Sequence, residues 1–294
     1  MVLIVLAAVL PVLITAGIGF LWARLRSGLH TQELAPLITE IATPCLVVST
    51  FMNTKISFDA FAATASAAIA ATILFIAGGT VFLWLMGLRI RTFLPPLVFP
   101  NLGNLGLPLA LYAFGQEGLG YAIVFFSISS VANFTIGQAI AAGAANWKGL
   151  LRLPVVYAAP LGLAISITGI QLPIWIVNTV NLIGGLTIPL MLLLLGASLS
   201  GLGVAHLKNA LAVSAFRIAF GILVGIAVVH LFGLEGNLRA VTILACSMPA
   251  AVYNYVFAQR WNNGPQDVAS IVVVSTFMSV ATIPLLLLVL LPAH

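Results

Sequence analysis

Residues 99–114 read FPNLGNLGLPLALYAF. The stretch lies where an apolar chain should cross a membrane, yet its sixteen residues include two prolines, two glycines and two asparagines. Its surroundings are 62% hydrophobic and only 6% charged. A soluble domain carries about 25% charged residues, so this composition cannot clothe a water-exposed surface. An integral membrane protein held almost wholly in the bilayer is expected. Lipid offers no partner for a freed backbone N–H or C=O, so irregular backbone at that depth is tolerated only where protein buries it or it lines a cavity. A segment that breaks its own helix inside the membrane therefore marks a site.

The net charge of +5 would suggest nucleic acid in a soluble protein. Here it reflects Lys and Arg in cytoplasmic loops. The start, MVLIVLAAVLPVLITAGIGFLWARLR, has no basic region ahead of its apolar run and reads as a first spanning helix, not a cleaved signal. Cys45 and Cys246 both sit in apolar runs and read as buried thiols. His30, His206, His230 and His294 have no metal-ligand spacing. Neither a phosphate-binding Gly-rich loop nor HExxH nor GxSxG occurs. No cofactor, no metal and no enzyme activity are expected.

Apolar stretches of spanning length fall at about 2–23, 34–53, 60–87, 97–114, 120–145, 154–170, 174–199, 210–233, 238–258 and 268–291. They predict an all-α membrane protein of ten helices, with LRIRTFLP and GQEG among the turns. The odd-numbered loops hold Arg24, Arg26, Arg89, Arg91, Lys148, Arg152, Lys208 and Arg260; the even-numbered ones hold Lys55 and Arg239. This asymmetry places the odd loops in the cytoplasm and both termini outside it, in a bacterial inner (plasma) membrane.

Prolines recur along the two halves. Pro11 and Pro160 are 149 residues apart, Pro44 and Pro189 are 145, Pro108 and Pro249 are 141, and Ser127 and Ser275 are 148. Each pair falls in the same ordinal helix of its half. Five helices per half make the second half enter from the opposite side, so the expectation is an inverted-topology repeat, 1–147 followed by 148–294, of the kind that secondary transporters use. Pro108 is the expected breaker of helix 4, since it cannot donate to the Asn104 carbonyl. Gly103 and Gly106 permit unwinding, and Asn101 and Asn104 offer amides to the freed backbone or to a ligand. In ACSMPAAVYNYVF, Pro249 repeats the device, with Tyr253 and Asn254 as polar groups.

FPNLGNLGLPLALYAFG, IVFFSISSVANFTIGQ and VVSTFMSVATIPLL together resemble the auxin efflux carrier family, in its bacterial malonate/malate permease-like branch. The resemblance covers essentially the whole chain. It implies two inverted five-helix repeats with broken helices 4 and 9 crossing in an X, a fold related to bile acid–sodium symporters, and a homodimer. The crossover would be Asn101 to Pro108 and Pro249. Plant members carry a long cytoplasmic loop between the halves, whereas only NWKGLLRLP joins them here.

Helix 5 gathers Ser127, Ser130, Asn133, Gly137 and Gln138 on one small-polar face, which serves either a site or helix packing. Ser275, Ser279 and Thr282 of helix 10 read as packing. Half-helix N-termini after the breaks suit a carboxylate. Arg217 is expected to snorkel toward the cytoplasmic surface near Lys208. Glu40, inside an apolar span, is the candidate proton carrier, though a place near the interface is the plain alternative. Coupling to H+, to Na+, or uniport all stay open. The leading expectation is a secondary carrier for a small organic anion. A passive channel comes next, and an intramembrane enzyme last, because no base is spaced to activate a Ser or Cys.

Overall fold

The computed structural model describes residues 2–25, 31–54, 56–143 and 154–291. Arg26, His30, Lys55, Lys148, Arg152, His294 and most of the NWKGLLRLP join lie outside the described residues. The described chain is helical, apart from one isolated β-bridge. Its helices are α1 (Val2–Leu25), α2 (31–53), α3 (Phe58–Leu85), α4 (Ile90–Val98), α5 (102–114), α6 (116–142), α7 (Val155–Thr168), α8 (Ile174–Gly201), α9 (Leu207–Phe232), α10 (Gly236–Cys246), α11 (Val252–Arg260) and α12 (Pro265–Leu290). Among the described residues, seven helical runs are long and apolar enough to cross a membrane, and large apolar side chains cover much of the outer surface. The chain is an integral membrane protein.

The expected spans need three corrections. LRIRTFLP is not a turn but most of α4. Pro95 cannot donate to the Arg91 carbonyl, and the Asn263 side-chain amide does so instead at 2.8 Å. The helix survives because its orphan acceptor is filled from elsewhere. The break in this region is not at Pro108 but at Phe99–Asn101, around Pro100. Pro108 lies inside α5, where a π-helical turn over Leu102–Gly106 passes into a regular α-helical run, and the backbone stays helical through it. The span drawn at 238–258 is two short helices, α10 and α11, separated by Ser247–Ala251.

With the break at Pro100, the proline that matches Pro249 lies 149 residues before it. The α5–α6 corner is made by Gly115 at φ 68° and the α11–α12 corner by Gly264 at φ 60°, again 149 residues apart. Both corners require the left-handed backbone that glycine adopts without penalty.

Packing sorts the helices into two groups. α1 lies along α8, and α2 lies along α7 and α8. Gly19 and Gly196 let α1 and α8 touch backbone to backbone: a Cβ on Gly196 would fall 1.8 Å from the Ala16 carbonyl oxygen. The second group holds α3 to α6 and α9 to α12. A half-open crevice of about 290 Å³ runs between the groups, walled by Val12 and Phe20 of α1, Leu195 of α8, Leu109 of α5 and Val280 of α12.

Candidate functional site

The extended segments at the two breaks cross and pair. Asn101 N–H donates to the Pro249 carbonyl at 2.7 Å, and Ala251 N–H donates to the Phe99 carbonyl at 3.1 Å, forming an antiparallel bridge between Pro100 and Ala250. Pro100 and Pro249 both lack an N–H, but the bridge draws its donors from Asn101 and Ala251. Proline therefore stiffens each crossing strand without leaving a gap in the pairing. The Ala250 N–H points the other way and donates to Ser275 Oγ of α12 at 3.1 Å. Asn254 of α11 reaches back to donate Nδ2 to the Phe99 carbonyl at 3.1 Å. Ser275, read from its spacing as a packing residue, thus holds the backbone of the crossing.

Three amide atoms around this crossing remain buried without a protein partner: Asn101 Nδ2, Asn133 Oδ1 and Asn254 Oδ1. All three side chains gather about Phe99. Asn101 is two residues along the strand, Asn254 holds the Phe99 carbonyl, and Asn133 Oδ1 and the Phe99 ring both lie against Gly137. A buried polar group left unpaired costs about 1–3 kcal/mol, so three in one place mark a locus that a polar ligand or water completes. α5 and α11 both begin at the crossing. Their first-turn N–H groups and positive dipole ends add donors there.

The other sequence-predicted residues divide. Gly103 packs near Phe126 and Met191, and Gly106 closes the π turn by donating its N–H to the Asn101 carbonyl at 3.2 Å. Asn104 is half-buried, and its side chain has no hydrogen bond among the described residues, so its amide is free for a ligand there. Ser127 spends its hydroxyl on the Ile123 carbonyl of its own helix at 2.8 Å. Ser130 is half-buried and Gln138 buried on the same helix, which carries a second π turn over Asn133–Gly137. Tyr253 stands edge-to-face on Phe134, centroids 5.4 Å apart, with Thr39 beside its hydroxyl and Glu40 acting on it electrostatically. Pro108 is buried but away from the break itself.

One open sequence reading is decided and one expectation is overturned. Glu40 is exposed, the alternative to burial in the span. It lies on a third π turn, Leu37–Ala42, whose inward side is taken by Ile38 and Ala42; Glu40, two residues from each, faces outward. Arg217 does not snorkel. It is fully buried and donates Nη1 to the Leu97 carbonyl at 2.9 Å, because α9 runs behind α4 and α10 and offers it no path to the surface. Sequence reading also missed Phe99 and Pro100, Ser275 and Asn263. The adjacent FPN triplet was the available signal for the first two; nothing local announces the others.

Comparison with known proteins sets the chain among membrane transporters. A family model described as membrane transport protein matches residues 141–287, half of the chain. The chain belongs to this family, that of the auxin efflux carriers. An uncharacterized transporter of Methanothermobacter thermautotrophicus is 28% identical over 192 residues, and one of Methanocaldococcus jannaschii is 28% identical over 196 residues. Each match covers 63% of this chain and 63% of the relative, so the chain spans less than two thirds of the curated relatives it matches.

Proposed function

We propose that this family member is a secondary carrier that moves a small organic anion across the plasma membrane by alternating access. The observation that carries the proposal is the crossing of α4–α5 with α10–α11. It collects at one point an unpaired amide donor, Asn101 Nδ2, two unpaired amide acceptors, Asn133 Oδ1 and Asn254 Oδ1, and two half-helix N-termini. The donors and helix ends suit a carboxylate, and the acceptors suit a hydroxyl, a proton or a cation carried with it. The ten spans are two inverted five-helix repeats, 1–147 and 148–294, with α4–α5 and α10–α11 as the broken fourth and ninth. The recurrence of proline and left-handed glycine at 149 residues supports that reading. So does a reciprocal clasp: Glu117, at the start of α6, accepts from Asn237 of α10 at 2.6 Å, while Asp267, at the start of α12, pairs with Arg89, just ahead of α4, at 3.7 Å.

The group of α1, α2, α7 and α8 is the fixed body, and the remaining helices, which carry the crossing, are the mover. The apolar walls of the crevice between them let one body slip along the other, and the contact of Thr39 with the Tyr253 hydroxyl is a polar one that the motion must open. Asn101 and Asn104 donate to the carboxylate of the substrate, Asn133 and Asn254 offer Oδ1 to its hydroxyl or to the accompanying cation, Tyr253 and Gln138 line its approach, and Glu40 is the coupling candidate for H+ or Na+. The protein works as a homodimer with both termini outside the cytoplasm. A thermal-shift screen of purified protein against small mono- and dicarboxylates, with and without sodium and at two pH values, tests the site. A binding acid stabilises by RT ln(1 + [L]/Kd), and its effect should disappear in Asn254→Ala. No shift with any carboxylate, against a clear shift with neutral or zwitterionic solutes, would remove the anion from the proposal.

A further inference from the structure

Arg217 is the largest fully buried side chain in the described structure, and no described carboxylate pairs with it. Its Nη1 donates to the carbonyl of Leu97, one residue from the end of α4. Its guanidinium lies over the Phe75 ring at 4.2 Å, and Phe75 meets Phe220 edge-on in a cluster completed by Phe216 and Phe82. Cys246, the last residue of α10, is near enough to interact with it electrostatically. One turn along α9, Gly221 brings the backbone so close that a Cβ would fall 2.3 Å from the Cys246 carbonyl oxygen. Arg217 therefore stands between the C-terminal ends of both short helices that run into the crossing.

Each helix C-terminus carries roughly half a negative charge. Two of them amount to about one, which a single guanidinium balances. We propose that Arg217 is the shared counter-charge of α4 and α10. It cancels the negative ends of the two half-helices that stop at the crossing and leaves the positive ends of the two that start there, α5 and α11, to set the field. Arg217 is a positioning residue: it touches no substrate and makes the crossing select anions from behind. The buried donors it leaves unpaired, Nε and Nη2, form the forked edge that suits paired acceptors, and they remain available to α10 carbonyls as the crossing shifts. The inference rests on the crossing being the anion site, but it can be read without any substrate.

The test reads the local field with a thiol. Asn104→Cys in a Cys45→Ala background places a reactive cysteine at the crossing, while Cys246 is wholly buried. The protein is treated with an anionic sulfonatoethyl and a cationic trimethylammonioethyl methanethiosulfonate of similar size, and the ratio of the two rates is taken. Adding Arg217→Met should lower the anion-to-cation ratio by about tenfold or more, whereas Arg217→Lys, which keeps the charge and loses the fork, should hold it within about twofold. Should Arg217→Met not fold, Cys246→Asp neutralises the guanidinium in place and should give the same fall. A purely structural arginine would lower the melting temperature in both the Lys and Met variants and leave the ratio alone. An unchanged ratio in folded Arg217→Met or Cys246→Asp, or a collapsed ratio in Arg217→Lys, overturns the inference. Failure of the wild-type protein to bind any carboxylate would instead count against the anion carrier, and does not move this ratio.

Discussion

Asn254→Ala separates a site residue from a structural one. The side chain is 2% exposed and its one protein bond is Nδ2 to the Phe99 carbonyl at 3.1 Å. That carbonyl also accepts the Ala251 N–H, so truncation leaves no orphan acceptor. The lost hydrogen bond is worth about 0.6 kcal/mol inside a membrane protein, and the small void left behind adds about 1 kcal/mol. Against this, the mutation removes the unpartnered Oδ1, which returns part of the cost. The net loss should be about 1–1.5 kcal/mol, a fall in melting temperature of a few degrees. Transport should fall far more: an amide whose free Oδ1 meets the moving substrate or its accompanying cation should cost about tenfold or more in kcat/KM, some 1.4 kcal/mol on the transport barrier. Intrinsic-fluorescence melting and uptake into proteoliposomes, normalised to folded protein, measure the two effects side by side. Transport reduced only in proportion to folded protein would make Asn254 a strut for the crossing and refute the reasoning.

Other expectations follow from the same geometry. Gly196→Ala would drive its methyl into the Ala16 backbone and should destabilise by about 1–3 kcal/mol or more, whereas Gly185→Ala meets nothing within 4 Å and should be neutral or stabilising by up to about 1 kcal/mol; paired melting curves decide. Asn104→Ala removes a half-buried amide with no bond to lose, so it should abolish transport at unchanged melting temperature and membrane insertion, and unaltered uptake would make the amide irrelevant. Glu40→Gln should leave carboxylate-induced stabilisation intact while removing the response of uptake to an imposed pH or sodium gradient; a preserved response would clear Glu40 of coupling.

Much of the fold was legible because membranes constrain sequence harshly. Apolar runs of spanning length located the long helices, and a helix-breaking cluster in lipid announced an interruption near Asn101. The precise point of that interruption was not legible. Pro108 looked like the breaker because proline in mid-helix forfeits a hydrogen bond, but the chain stays helical through it, behind the wide π turn over Leu102–Gly106. Pro95 escaped notice as a helix member because its missing bond is replaced by Asn263, 168 residues away in sequence. The same distance effect hid Arg217: hydropathy along α9 gives a charged residue no clue that two helix ends and an aromatic ring wait around it. For Glu40, chain position said buried while the face of a π turn said exposed, and only the fold settles which face looks inward. The amides at 101 and 254 were legible as polar residues beside breaks, but their unpaired atoms became visible only once the strands crossed.

The claim that the protein is a carrier is tested most directly by counterflow. Purified protein is reconstituted into liposomes loaded with the unlabelled carboxylate that stabilises it best, and entry of the labelled acid is followed at a fixed outside concentration. A carrier turning around one crossing site gives saturable entry that loaded acid accelerates, with a transient overshoot of label. Entry that rises linearly with concentration and ignores what is inside would describe a channel and contradict the account.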